Sequence, residues 1–221
     1  MELSLTPREL LTTTRAVRKR LDLGRPVARD DVEDCLRLAF QSPTGSNQQH
    51  WGWVLVDDPD TRSRMAEIYG RAMDASAVMM DEARDAGVPM KVVTDRSTEI
   101  TSSVFHLRQH MHEVPVLVVP TIAGRVDRGS VWLQASLWGS VLPAVWSFML
   151  ALRLRGMGSA WTTLHLHYER EMADLLGIPF DKVTQAGLFP VAYTVGTEFQ
   201  PADRSASEQS IHWNRWSSTP K

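Results

Sequence analysis

Residues 42–53 read Ser42-Pro43-Thr44-Gly45-Ser46-Asn47-Gln48-Gln49-His50-Trp51-Gly52-Trp53, and they run straight into Val54-Leu55-Val56. Proline, glycine, serine and asparagine crowd the stretch from Ser42 to His50, which is loop chemistry. Trp53 to Val56 is aromatic and branched, which suits a short strand. Such a loop offers backbone N–H groups, a hydroxyl and side-chain amides together. That mixture of donors and acceptors suits the pyrimidine edge of a heterocycle. An ordinary polar turn has the same composition, so its meaning rests on what surrounds it.

Upstream, Thr6 is placed as an N-cap, Pro7 at the first helical position and Glu9 at the third, predicting a helix from Thr6 to Thr14. Thr14-Arg15-Ala16-Val17-Arg18-Lys19-Arg20 follows as a basic turn. Arginine presents a planar fork of donors suited to phosphate or carboxylate-like oxygens, with small Ala16 between Arg15 and Arg18. Alone, the cluster reads equally well as a solvated turn. Asp30 or Asp31 is placed to cap a second helix ending near Phe40, with Val32, Cys35, Leu36 and Ala39 at helical spacing. Cys35, the single cysteine, falls among those apolar positions and reads as a small buried hydrophobe.

Downstream, Asp57-Asp58-Pro59-Asp60 stops the strand and opens a helix through Tyr69. Residues 71–98 mix methionines with charges and read as a variable excursion, a broken helix or a flap. Thr101 to Glu113 looks helical. Val114 to Ile122 is a near-continuous apolar strand, which implies burial on both faces. Val131 to Leu152 lacks any charge and is long enough to span a bilayer, which takes ~20 residues. Its interior argues against that: Ser136, Gly139, Ser140, Pro143 and Ser147 interrupt it, and Trp138 and Trp146 lie mid-segment instead of at the interfaces. It reads as a buried or dimer-interface helix.

Gly156-Met157-Gly158 ends that helix. Ser159 to Thr163 is a strand running into a loop, Tyr168 to Leu176 a helix closed by Gly177 and Pro179, and Ala186 to Val195 the last strand. Gly196 to Lys221 is polar but carries Trp213 and Trp216, which need a surface to pack on. Helices come first, then strands separated by helices. The expectation is an α+β fold, one domain over residues 1–221, with helices around a central sheet.

The exclusions narrow the function. A net charge of −2 is wrong for a strongly basic nucleic-acid binder. The start, Met1-Glu2-Leu3-Ser4-Leu5, lacks the basic and apolar regions of a signal peptide. With one cysteine and no disulfide, a cytoplasmic location is the expectation. Neither phosphate-cradle motif is present, GxGxxG or GxxxxGK[ST], nor is GxSxG. His106 and His110 have the spacing of a helical metal pair, but no HExxH accompanies them, so they read as surface or pocket-wall residues. His165 and His167 alternate near a strand end and carry no metal signal. No metal, nucleic acid or membrane partner is expected.

Taken in order, five segments resemble the FMN-dependent nitroreductase family. Arg15-Ala16-Val17-Arg18 looks like its R-S-V-R turn, and Ser42 to Trp53 like its P-S-x-x-N-x-Q-P-W-x-F loop. Gly156 to Thr162 looks like R-G-L-G-S-x-W, Gly177-Ile178-Pro179 like L-G-I-P, and Pro190 to Tyr193 with Pro201 and Arg204 like P-V-G-Y…R-K-P. The resemblance spans most of the chain outside 71–98. It implies a nitroreductase-like α+β fold with a central mixed or antiparallel sheet, in an intertwined homodimer with two FMN sites built from both subunits. By resemblance, Arg15 and Arg204 bind the phosphate, and Ala16 and Arg18 lie along the ribityl chain and pyrimidine edge. Pro43, Thr44, Gly45 and Asn47 arrive from the other subunit to cover the ring. Trp161, Thr162 and Thr163 pass beside the flavin, and the tail from 196 wraps the partner. Ala16 stands where serine is usual, His50 where proline is common, and Asp203 precedes Arg204 where a base is frequent.

The implied activity is an NAD(P)H oxidoreductase acting on nitroaromatics, quinones or related electron-poor acceptors. Donor and acceptor would take turns at flavin N5 in ping-pong fashion. Arg18 is the candidate cation for the N1–O2 edge, and no side chain is singled out as a general acid or base. Enone reduction, dehalogenation, oxygen-dependent flavin chemistry and non-catalytic flavin storage or sensing are the alternatives on the same scaffold.

Overall fold

The structure, a computed structural model, describes residues 2–75, 85–87, 97–202 and 210–216. Most of the 71–98 excursion, together with Asp203 and Arg204, lies outside the described residues.

Helix α1 spans Pro7–Thr13, and the capping box is closed in both directions: Glu9 N donates to Thr6 Oγ1 and Thr6 N donates to Glu9 Oε2. Helix α2 spans Arg29–Ala39. Its N-cap is Ala28, with no side-chain cap, so neither Asp30 nor Asp31 has the capping role the sequence suggests. Asp31 instead accepts from Arg155 Nη1 at 3.0 Å and from the Tyr193 hydroxyl at 2.9 Å. Both aspartates remain in the first turn, where negative charge complements the helix dipole. Strand β1 (Trp51–Val56) leads to α3 (Pro59–Asp74), capped by Asp58, which accepts from Thr61 N at 2.8 Å. Then come α4 (Ser97–His110), β2 (Val116–Ala123), α5 (Val131–Leu154), β3 (Met157–Ser159), α6 (Glu169–Leu176), β4 (Val183–Gln185) and β5 (Phe189–Tyr193).

The strands form one antiparallel sheet in the order β1-β2-β5-β3, with β4 also on β2. Val54 lies opposite Val119, Val118 opposite Phe189, and Gly158 opposite Ala192. Strand β2 is buried on both faces. Leu117 and Val119 join a core with Met65, Ile68 and Tyr69 of α3 and Met172 of α6. Val116, Val118 and Ile122 join a second core with Val32 and Cys35 of α2 and Phe148 and Leu152 of α5. The period of two along a strand sends alternate residues into opposite layers. The result is helix, sheet, helix.

The expected last strand, Ala186 to Val195, is shorter: β5 runs only from Phe189 to Tyr193, and a separate short strand, β4, lies before it. β4 and β5 pair with β2 in succession, and Ala186 N donates to Pro120 O between them. Gly187 sits at the break with φ of 155°; a Cβ there would lie 2.9 Å from both the Phe189 ring and Trp161 Nε1.

The apolar segment from Val131 forms one continuous helix, α5, but its two halves differ. From Ser140 onward it packs between α2 and the sheet, with Val141, Val145, Phe148 and Leu152 buried. At its start, Val131 is 83% exposed and Trp132 76%.

Candidate functional site

The basic turn is joined to the sheet at the edge strand. Val17 N donates to Ser159 O at 2.8 Å, and Leu21 bridges to Thr194. Val17 and Leu21 enter the core, which presents Ala16 and Lys19 outward and leaves Arg15 and Arg18 half-buried. The turn forms one wall of a cleft of about 360 Å³, closed by Ser103 of α4 and by Glu198, Phe199 and Gln200.

The four cations of this turn differ in their commitments. Arg20 donates to the carbonyls of Val195 at 2.9 Å and Glu198 at 2.8 Å, so it is structural. Lys19 Nζ donates to Ser102 Oγ at 2.7 Å and ties α4 to the turn. Arg15 makes one 3.2 Å bond, to the carbonyl of Gln200. Arg18 makes no hydrogen bond or ion pair among the described residues. Burial pulls its pKa below the ordinary arginine value, and the neighbouring Tyr69 opposes the shift. A half-buried guanidinium without an acceptor is unfavourable unless something anionic or hydrogen-bonding completes it.

Ala160 to Thr163 leaves the sheet after β3, so the strand expected through Thr163 ends at Ser159. The residues beyond it hold one contact with the 186–188 break. Thr162 N and Oγ1 both donate to Leu188 O, and Trp161 Nε1 donates to Ala186 O at 3.3 Å. Thr163 is exposed at the mouth of a 3-10 turn, Leu164–Tyr168. His165 in that turn is fully buried. Neither ring nitrogen has a hydrogen bond of good geometry, nor does Oε1 of the neighbouring Gln185. Burial pushes the His165 pKa down to about 4; the Gln185 side chain opposes it weakly. The ring is therefore neutral at physiological pH.

The loop at 42–49 lies elsewhere, on α5. Gly45 N donates to Ser140 Oγ at 3.0 Å, and Ser42 Oγ to Ser147 Oγ at 2.9 Å. Thr44 Oγ1 accepts from Gln49 N at 3.2 Å. Ser46, Asn47 and Gln49 have φ of 51°, 55° and 54°, a left-handed conformation that side chains rarely adopt. Among the described residues, no hydrogen bond or ion pair joins this loop to the basic turn. Arg15, Ala16 and Arg18 thus lie on the turn that is joined to Ser159 of β3. Pro43, Thr44, Gly45 and Asn47 lie on the loop that α5 holds.

Two other expectations resolve here. Cys35 is fully buried and its thiol pKa is pushed up to about 12 by burial, so it is an inert core residue. His106 and His110 stack with ring centroids 4.4 Å apart, and His110 Nδ1 lies 2.7 Å from Glu113 Oε1. Ser103 and Phe199 line the cleft without any signal in the sequence, because only tertiary folding brings α4 and the 195–200 stretch to the turn.

An antiparallel α+β sheet with a basic turn welded to its edge strand, and a polar loop carried on a long apolar helix, defines the class. The family profile described as the nitroreductase family matches residues 11–193, and the chain belongs to that family. An Archaeoglobus fulgidus protein with the provisional name NADH dehydrogenase/NAD(P)H nitroreductase is 22% identical over 211 residues, covering 94% of this chain and 97% of its own. Among solved structures, a BluB-like flavoprotein from Clostridium difficile superposes with a TM-score of 0.69 at 17% identity, covering 95% of this chain and 99% of the other. Oxidized iodotyrosine deiodinase bound to FMN and 3-iodo-L-tyrosine superposes with a TM-score of 0.67 at 18% identity, covering 95% and 99%. At these identities the superpositions establish a shared fold.

Proposed function

We propose that this chain is an FMN-dependent NAD(P)H oxidoreductase, reducing nitroaromatics, quinones or related electron-poor acceptors in the cytoplasm. The site is completed by a second copy of the chain. The observation that carries the reading is Arg18, a half-buried guanidinium with no acceptor among the described residues, in a cleft walled by further cations. A flavin fits that donor set. Its phosphate is a dianion suited to guanidinium forks, and its pyrimidine edge presents acceptors. Bound FMN would supply two-electron transfer between a nicotinamide donor and the acceptor.

The chain's own residues do the holding. Arg15, with Arg204, binds the phosphate. Exposed Ala16 leaves room along the ribityl chain, and Arg18 places positive charge at the N1–O2 edge, where negative charge develops on reduction. Trp161, Thr162 and Thr163 border the opposite edge, with their backbone fixed through Leu188. The partner's copy of the 42–49 loop, including Pro43, Thr44, Gly45 and Asn47, covers the ring and excludes water. The exposed start of α5 and the aromatic tail give two copies an apolar surface to share. Trp213 is 83% exposed and Trp216 85%.

A second reading, another flavin reaction such as dehalogenation or enone reduction, is favoured by the wall that α4 contributes. Ser103 lines the cleft and Ser102 holds Lys19, so this helix can select the acceptor. The test is an anaerobic absorption spectrum of the purified protein, before and after NADPH and then NADH. The proposal expects a flavin band that bleaches. A flavin band that persists under both donors contradicts the reductase assignment, and a colourless protein that takes up no FMN on reconstitution contradicts the site itself.

A further inference from the structure

The stretch from Thr194 to Gln200 crosses the basic turn and is stitched to it at Thr194, Val195, Glu198 and Gln200. Leu21 bridges to Thr194, Val195 N donates to Arg20 O at 2.8 Å, and Arg20 returns two bonds to the carbonyls of Val195 and Glu198. Gly196 makes the bend with φ of 72°, and a Cβ there would lie 2.9 Å from Arg20 Nη2. The strap ends with Gln200 O accepting from Arg15 Nη1.

Phe199 is the strap's one apolar anchor. It packs against the core that contains Val17 and Leu21. Two guanidinium groups lie against its ring, Arg20 with Cζ 4.1 Å from the centroid and Arg153 with Cζ 4.8 Å away. Arg153 is only 6% exposed. Among the described residues its one hydrogen bond runs to Thr13 Oγ1 at 3.4 Å, and its Nε and Nη1 make none. A desolvated cation with so few acceptors interacts strongly with an aromatic face. The ring therefore ties together two like-charged groups that would otherwise repel.

We propose that Phe199 is a positioning residue for the cofactor phosphate: held by Arg20 and Arg153, its ring locks the strap so that the Gln200 carbonyl fixes Arg15 at the cleft. The inference rests on the FMN reading above and adds a residue that never touches the flavin. Among the described residues Arg15 makes a single hydrogen bond, to the Gln200 carbonyl, so its guanidinium is ordered chiefly by the strap that holds it. Loss of the ring loosens the strap beyond Glu198, and Arg15 then bears an ordering cost before it can meet a phosphate.

The test compares FMN with riboflavin, which lacks the phosphate. Full-length apoprotein of wild type, Phe199→Leu, Phe199→Ala and Phe199→Trp is titrated with each flavin by fluorescence quenching, with melting temperatures recorded. Wild type binds FMN more tightly than riboflavin. Phe199→Leu keeps apolar volume without a π face, and we expect its FMN affinity to fall about tenfold, the size of one charge-assisted hydrogen bond, with riboflavin affinity nearly unchanged. Phe199→Ala follows if it folds, and Phe199→Trp restores the preference for FMN. Equal weakening of both flavins in Phe199→Leu, or no change in either, overturns the proposal. If wild type itself binds neither flavin, the FMN reading fails and the proposal with it.

Discussion

The basic turn and the 42–49 loop are built on opposite principles. The basic turn, with β3 and the stretch beyond it, is embedded. Its backbone bonds to the sheet edge, Val17 and Leu21 enter the core, and Arg20 is wholly committed to protein carbonyls. The 42–49 loop is perched. Two serine hydroxyls of α5 hold it, and three of its non-glycine residues sit in the left-handed region. A phosphate and a charged ring edge need donors fixed before binding, since electrostatic stabilisation depends on preorganised groups. In the proposed arrangement, a cover supplied across an interface needs only its shape, which the interface would complete.

The difference can be sharpened by variants on the embedded side. The largest expected effect lies in the turn just after the 161–163 stretch. The pKa of His165 falls from 6.5 unfolded to about 4 folded, so the unfolded chain binds a proton that the native ring refuses between those values. Stability is fully present above about pH 6.5 and is lost as pH falls towards 4, by roughly 3 kcal/mol in total. Denaturant titrations across that window should show the decline, and His165→Leu should flatten it. An identical slope in the variant would remove His165 from the account.

Arg18→Met comes next. It keeps the aliphatic stem and deletes the charge. FMN affinity should fall about tenfold to a hundredfold, the range for a charge-assisted hydrogen bond, while the melting temperature holds or rises because a desolvated cation has gone. Unchanged FMN affinity would mean that Arg18 is structural like Arg20. On the perched side the effect should be small. Ser140→Ala leaves the Gly45 N–H without its acceptor and should cost about 1 kcal/mol by denaturant midpoint. A loss several times larger would show that the loop is embedded too.

Local chemistry made much of this fold legible. The Thr6-Pro7-Glu9 capping box, the Asp58 cap and the left-handed Gly156 and Gly177 after α5 and α6 each follow from a few adjacent residues. Burial of β2 on both faces follows from its unbroken apolar run. Features set by distant partners were not legible. Asp31 was drawn from capping by Arg155 and Tyr193, and the last strand starts only at Phe189, past Gly187, whose missing side chain leaves room for Trp161. At the proposed site, the sequence singled out Arg15, Ala16, Arg18 and the loop as candidates. It held nothing to separate Arg18 from Arg20, because that distinction lies in the carbonyls of Val195 and Glu198, far along the chain.

The central claim is that one flavin site takes its cations from one copy and its cover from another. Subunit complementation tests it most directly. Arg18→Met and Gly45→Val, which crowds Ser136 and Ser140 around the loop, are each expected to bind FMN poorly alone. After unfolding and refolding a mixture of the two, half the dimers should be hybrids carrying one intact site, so about a quarter of all sites should recover wild-type FMN affinity. No recovery in verified hybrid dimers would place both half-sites on the same copy and contradict the account.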